Sequence, residues 1–134
     1  MKQLFASFCL LAALSCNSGN EGGYKKAEDA QDAGRQFIRA SLDGDYDKAA
    51  FYLLKDSTNT LLLEKQKANY NGWTPEIKSK YKAASIRPVA ITPENDSTVL
   101  YKYYNTSNES DTTMLRIVRN QGDWLVDLKS IIKM

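Results

Sequence analysis

The sequence of 134 residues contains no histidine. This absence excludes the Ser/His/Asp and Cys/His systems of nucleophilic catalysis, and it removes the commonest zinc ligand and the readiest proton carrier near neutral pH. An excess of one charge is also missing, since 18 Lys and Arg stand against 16 Asp and Glu. Such a balance gives no electrostatic footprint for nucleic acid. We therefore expect no metal site, no cofactor and no nucleic-acid partner.

Cysteine is rare, and both cysteines, Cys9 and Cys16, lie near the start of the chain. An apolar run from Leu4 to Ser15 follows the positive charge of Lys2, and a polar, Gly-rich stretch follows Cys16. The run of about 12 residues is shorter than the roughly 20 that span a bilayer as a helix, which predicts a cleaved secretory signal. The predicted parts are a lipoprotein signal peptide (1–15), a flexible tether (16–23) and one folded domain (24–134).

The segment Ala13-Leu14-Ser15-Cys16 resembles the lipobox of bacterial lipoproteins, in which small residues precede a cysteine that receives a diacylglyceryl group. The thiolate is the natural nucleophile for this thioether, and several acyl chains together make a lasting anchor. Asn17 resembles the signal of lipoproteins directed to the outer membrane. The resemblance implies that Cys16 is lipidated and that the protein is anchored in the bacterial cell envelope, facing the periplasm or the surface. An ordinary signal peptide with an incidental cysteine is the alternative.

Small and apolar residues recur at three and four positions from Ala27 to Leu42, which predicts a first helix. Gly44 suits the left-handed position that ends a helix. Asp45 is expected to cap a second helix, whose apolar positions extend to Leu54. The two helices should form a hairpin.

A third helix is predicted to begin at a cap formed by Ser57 or Thr58 and to be interrupted after Tyr70. Thr74 and Pro75 then predict a restart, because threonine caps a helix and proline fits its first position. Trp73 lies in the break between the two halves, where a large ring can close one end of a core or stack on a ligand.

The remainder alternates with period two and predicts four antiparallel strands joined by short turns. Their predicted ranges are 86–92, 97–105, 112–120 and 123–132. Pro88 favours an edge position for the first strand. One face is expected to lie under the helices: Val99, Tyr101, Tyr103, Leu115, Ile117, Trp124, Val126 and Leu128.

The opposite face of the predicted sheet mixes charged and apolar side chains. Lys102, Arg116 and Asp127 are expected to form a charge ladder across three strands. The apolar members are a candidate surface for a protein partner or a second copy of the chain: Leu100, Tyr104, Met114 and Val118. Scattered apolar residues between charges are the alternative interpretation.

Helices followed by a four-stranded antiparallel meander are the element order of the NTF2-like, cystatin-like fold. Residues 37–49 (FIRASLDGDYDKA) and residues 122–126 (GDWLV) resemble the DUF4878-type lipoproteins of Bacteroidetes, which have such a domain. The resemblance implies an α+β fold in which N-terminal helices pack on a curved four-stranded sheet to form a cone. It supplies no catalytic residue, because this fold hosts enzymes, binders and scaffolds alike.

Four aromatic residues are candidates to line a pocket for a small apolar ligand inside the cone: Trp73, Tyr101, Tyr103 and Trp124. An enzyme would need a carboxylate base beside a tyrosine in this cone, and no carboxylate joins them in the predicted strands. We therefore expect a non-catalytic binding or interaction module. The alternatives are a small enzyme with an Asp/Tyr site and a purely structural envelope lipoprotein.

Overall fold

The computed structural model describes residues 23–133, and the side chains of residues 23–129. The four helices of this part are α1 (Ala30–Asp43), α2 (Tyr46–Phe51), α3 (Ser57–Asn71) and α4 (Pro75–Ala83). The four strands are β1 (Ile86–Asn95), β2 (Thr98–Asn105), β3 (Asn108–Asn120) and β4 (Asp123–Lys133). They form an open antiparallel sheet in chain order. The predicted α+β class is confirmed, whereas the predicted signal peptide and Cys16 lie outside the described residues.

Helix α1 begins three residues later than predicted. Asp29 has an extended backbone, and its carboxylate accepts a hydrogen bond from the Asp32 N–H, so the helix starts at Ala30. A side chain that satisfies an open N–H fixes the first turn of a helix. The predicted end is confirmed, because Gly44 takes φ 77° and its N–H points back to the carbonyl groups of the last turn.

Helix α2 is capped by Asp45 as predicted, and the carboxylate accepts from the Lys48 N–H. The helix ends at Phe51, however, three residues before the predicted Leu54. The Leu54 N–H donates to the Val126 carbonyl over 2.8 Å, and the Val126 N–H donates to the Tyr52 carbonyl over 2.8 Å. The chain leaves the helix because its backbone groups bond to β4.

Helix α3 is capped by Asp56, and the predicted caps at Ser57 and Thr58 are wrong. The Asp56 carboxylate accepts from the Asn59 N–H over 2.7 Å. The predicted start of α4 is confirmed, with Thr74 as cap and Pro75 in the first turn. None of the helices within residues 23–133 is both long and apolar enough to cross a membrane.

Arg39 of α1 binds the C-terminal end of α4. Its guanidinium donates to the Ala84 carbonyl (2.6 Å) and the Lys82 carbonyl (3.0 Å), and it pairs with Asp43 (2.8 Å). The last carbonyl groups of a helix have no partner within the helix, and they favour a cation. Arg39 therefore joins α4 to α1.

Strands β1, β3 and β4 extend further than the sequence pattern predicts, whereas β2 begins one residue later than predicted. Thr106 and Ser107 form the second turn, so β3 begins at Asn108 and not at Thr112. The predicted turn at Gln121 and Gly122 is confirmed. Both residues have positive φ (51° and 84°), as a two-residue hairpin turn of type I′ requires.

Helix α1 packs directly on the sheet at Gly34. A Cβ at this position would lie 2.8 Å from Ile117 Cδ1, closer than packed atoms allow, and 3.5 Å from Tyr101 Cγ, an ordinary van der Waals distance. The covered face agrees with the prediction. Its buried members are Val99, Tyr101, Leu115, Ile117, Val126 and Leu128, and Tyr103 and Trp124 pack half-buried against them.

Strand β1 is an edge strand, as Pro88 predicted, and almost all of it is exposed. Val89 is 53% exposed and Ile91 is 39% exposed. An open edge with apolar side chains invites pairing with another chain. Pro88 and Pro93 have no N–H to donate, and shifts in register follow both prolines, so β1 is a poor template for a further strand.

We predict that Gly44→Ala lowers the free energy of unfolding by roughly 3 kcal/mol. A Cβ at positive φ costs about 1–2 kcal/mol, and overpacking adds about 1–3 kcal/mol. The added Cβ would overlap the ring of Tyr70, which covers Gly44. Urea denaturation of residues 24–134 measures the change.

Gly122→Ala is the matched control, since Gly122 has φ 84° with no atom within 4 Å of an added Cβ. It should cost only the backbone term of about 1–2 kcal/mol. In a Tyr70→Ala background the cost of Gly44→Ala should fall to the same value. Equal costs for the two glycine variants in the wild-type background would contradict the packing of Tyr70 on Gly44.

Candidate functional site

The four aromatic residues predicted to line a pocket lie in three separate places. Tyr101 and Tyr103 are neighbours, with ring centroids 5.8 Å apart. In the sheet register Tyr103 lies opposite Thr113, and Trp124 lies opposite Arg119. Six residues of β3 separate these rows, which is about 20 Å of strand. Tyr103 and Trp124 are therefore near opposite ends of the covered face.

Tyr101 is a core residue. It is 1% exposed, and α1 lies on its ring at Gly34. A buried tyrosine of this size contributes through packing and apolar area. Atoms of helix α1 therefore lie against the Tyr101 ring, where the sequence predicted a ligand.

Tyr103 is half-buried, and it lies near a carboxylate that the sequence reasoning missed. The pKa of the Tyr103 phenol is raised to about 12, chiefly by burial. A hydrogen bond with Thr113 lowers this pKa, and the charge of Asp111 raises it. Asp111 belongs to β3 only because that strand begins before the predicted Thr112. The sequence contained this information, because Asp111 and Leu115 are four residues apart and so lie on the same face of a strand.

Trp73 belongs to a second aromatic cluster, between α3 and α4. Its ring stacks on Tyr81 with centroids 4.6 Å apart and an angle of 19°, and it contacts Tyr70 at 5.5 Å. Lys78 Nζ lies 4.9 Å from the centroid of the Tyr70 ring. Trp73 thus fills the junction of the two helices, as a large ring in a chain break can.

Trp124 lies at the start of β4, half-buried, with the Arg119 guanidinium carbon 5.8 Å from its ring centroid. A guanidinium over an indole face contributes about 0.5–1 kcal/mol when the pair is exposed. The two side chains are directly opposite in the β3–β4 register. This pair closes the end of the sheet next to the Gln121–Gly122 turn.

A buried polar cluster joins α3 to β4, and the sequence reasoning missed it. Asn59 is fully buried; its amide donates to Asp56 (3.1 Å) and Asp127 (3.2 Å), and its oxygen accepts from the Leu128 N–H (2.7 Å). Lys129 pairs with both carboxylates. No local pattern marks the contact of Asn59 with β4, because Asp127 and Leu128 are 68 and 69 residues away along the chain.

The cluster satisfies its own polar groups. The Asp127 carboxylate is 6% exposed as a residue and accepts from Asn59 and from the Lys129 N–H over 3.1 Å. The Asn59 N–H and the Lys129 ammonium lower the pKa of Asp56. Among the described residues no group of three His, Cys, Asp or Glu side chains could hold a metal ion. The cluster therefore has a structural role, because its hydrogen bonds join α3 to β4.

The face of the sheet away from α1, which we call the outer face, carries side chains in aligned rows. Leu100, Arg116 and Asp127 form one row, and Lys102 aligns with Met114. The predicted three-charge ladder is therefore wrong, because Lys102 is displaced by one row and Asp127 is buried against α3. The apolar members of this face are half-buried: Leu100, Tyr104, Met114, Val118 and Leu125.

Comparison with models of protein families finds no match to this chain, and comparison with curated proteins finds none. The resemblance to DUF4878-type lipoproteins therefore stays a prediction.

We predict that Asn59→Ala lowers the free energy of unfolding by about 3 kcal/mol. The substitution leaves the buried Leu128 N–H without its acceptor, which costs about 1–3 kcal/mol, and it also removes one of the hydrogen bonds to Asp127. Asn69→Ala, at an exposed position of the same helix, is the control and should change stability by less than about 0.5 kcal/mol. Chemical denaturation measures both.

Asn59→Asp separates hydrogen bonding from the loss of volume. It keeps an acceptor for Leu128 but places a third carboxylate beside Asp56 and Asp127. Like charges in a buried site disfavour the ionised form, so this variant should be less stable at neutral pH than at mildly acidic pH. A pH-independent loss would contradict the contact of Asn59 with the two carboxylates.

Proposed function

We propose that this protein is a lipid-anchored component of the bacterial cell envelope that acts as a non-catalytic interaction module. Cys16 carries the anchor, and the tether of residues 16–23 links it to the domain. The outer face of the sheet is the binding surface. The observation that carries this proposal is the contrast between the two faces, since helices cover one and the other presents half-buried apolar side chains.

The finer fold in this proposal is an NTF2-like cone. Four helices that precede an antiparallel sheet in chain order support it, as does the coverage of one face by α1. The sequence predicts a ligand pocket inside such a cone. The burial of Tyr101 under Gly34 favours the outer face for this protein instead.

An enzyme with an Asp/Tyr site is the second candidate, and it is favoured by the parity that puts Asp111 and Tyr103 on one face of the sheet and by the contribution of the Asp111 charge to the raised pKa of the phenol. A phenol whose pKa is raised stays neutral and can donate a hydrogen bond to an oxyanion. The non-catalytic proposal has more support, because the covered face on which Tyr103 lies is largely hydrocarbon.

We predict that Cys16 is lipidated. Metabolic labelling with an alkyne fatty acid should mark the full-length protein and should not mark Cys16→Ala, because the thioether forms on this thiol. Cys9→Ala is the matched control, and it should label like the wild type. Equal labelling of wild type and Cys16→Ala would contradict the anchor.

We predict that the outer face contacts a protein partner in the envelope. A photo-reactive benzoylphenylalanine in place of Tyr104 should give a discrete adduct when membranes of expressing cells are irradiated. The same residue in place of Glu64, on the exposed side of α3, is the control and should give much less. Adducts of the same size and yield at both positions would argue against a specific surface.

A further inference from the structure

The charges of the outer face are predominantly basic. Arg87 lies opposite Tyr104, Lys102 lies opposite Met114, and Arg116 lies opposite Leu100, so the sheet register puts all three cations on this face. None of the ion pairs formed among the described residues involves Arg87, Lys102 or Arg116. Their charge is therefore not neutralised by a carboxylate of the described domain.

Two carboxylates lie in the rows of the outer face, and both already have partners within the domain. Asp127 is buried and bound to Asn59 and Lys129, and Asp123 pairs with Lys26 over 3.3 Å. The intramolecular contacts thus remove negative charge from the surface and leave the positive charge. This arrangement complements an acidic partner.

Arg116 is in the middle of the face and is already partly desolvated. Its Nε is buried and has no hydrogen-bond partner in the described part of the chain. A polar group that has lost water without gaining a partner is costly, and a guanidinium pairs best with a carboxylate through two parallel hydrogen bonds. A carboxylate from outside the chain would pair with the two terminal nitrogens of this half-buried side chain, since the atom shielded from solvent is Nε.

The shape of the face distinguishes a protein from a membrane. Insertion into a bilayer requires apolar side chains that project from the surface, whereas Leu100, Met114 and Val118 are half-buried among their neighbours. A surface without projecting apolar side chains fits another protein surface, and Tyr and Arg are enriched where such contacts are strong.

The charge of the outer face disfavours a second copy as the occupant. Two copies paired through this face would bring like charges together at Lys102 and Arg116.

We propose that the outer face binds an acidic protein segment whose carboxylates alternate with apolar side chains. The carboxylates pair with Arg116, Lys102 and Arg87, and the apolar side chains cover Leu100 and Met114. The inference rests on the proposed function of this face as an interaction surface and adds the chemistry of the partner.

The full-length protein with benzoylphenylalanine at position 104 tests the proposal in membranes. Lys102→Gln combined with Arg116→Gln should lower the yield of the adduct about tenfold, and added salt should lower the wild-type yield. Lys65→Gln combined with Lys67→Gln removes the same charge from exposed positions on α3 and should leave the yield unchanged. Mass spectrometry should find the cross-link in a segment rich in Asp and Glu.

Arg116 is half-buried, so a combination of Arg87→Gln with Lys102→Gln provides the same test without it. A weaker loss of yield, still beyond the control, is expected from this pair. Thermal melting of each variant verifies that the domain is folded at the assay temperature.

The outcomes separate the two proposals. If position 104 gives no adduct in the wild type, the interaction surface itself is refuted. If an adduct forms but ignores salt and both charge-neutralised pairs, the surface stands and the acidic partner is overturned. An adduct of twice the mass of the chain identifies a second copy, and one that contains lipid identifies the membrane; either result overturns the acidic partner.

Discussion

The close approach of α1 to the sheet is the contact on which the rest of the domain depends. Gly34 and Ala33 present almost no side chain, so the helix backbone lies against Tyr101 and Ile117. Small residues at a contact reduce the distance between elements, and dispersion forces then act over the whole helix. The covered face of the sheet becomes a dry core. Its opposite face is thereby left as the surface available to a partner.

The remaining helices are held to this core by polar contacts at their ends. Arg39 binds the last carbonyl groups of α4, and Asn59 joins the first turn of α3 to β4. Each contact satisfies backbone groups that helix ends or irregular strands leave open. Hydrogen bonds of this kind contribute little individually, but an open partner in the core costs more than the bond contributes. They fix where α3 and α4 lie.

The same contacts shape the electrostatics of the outer face. Asp127 belongs by register to the row of Arg116, yet its carboxylate is bound by Asn59 and Lys129. The cluster of Asn59, Asp127 and Lys129 therefore removes a negative charge from the outer face. Arg116 has no ion-pair partner among the described residues. Folding and recognition are linked at Asp127, since a carboxylate that binds Asn59 does not also neutralise Arg116. A partner that brings its own carboxylates replaces what the fold has removed.

The sequence by itself determined the features that depend on neighbouring residues. The left-handed Gly44, the caps Asp45 and Thr74, the edge position of β1 and the covered face all follow from local chemistry and strand parity. Only the tertiary structure decided where α2 ends, which side chains Asp127 binds and that Trp73 lies apart from Tyr101. The reason is distance along the chain: Asn59 and Asp127 are 68 residues apart, and no periodicity extends over such a separation.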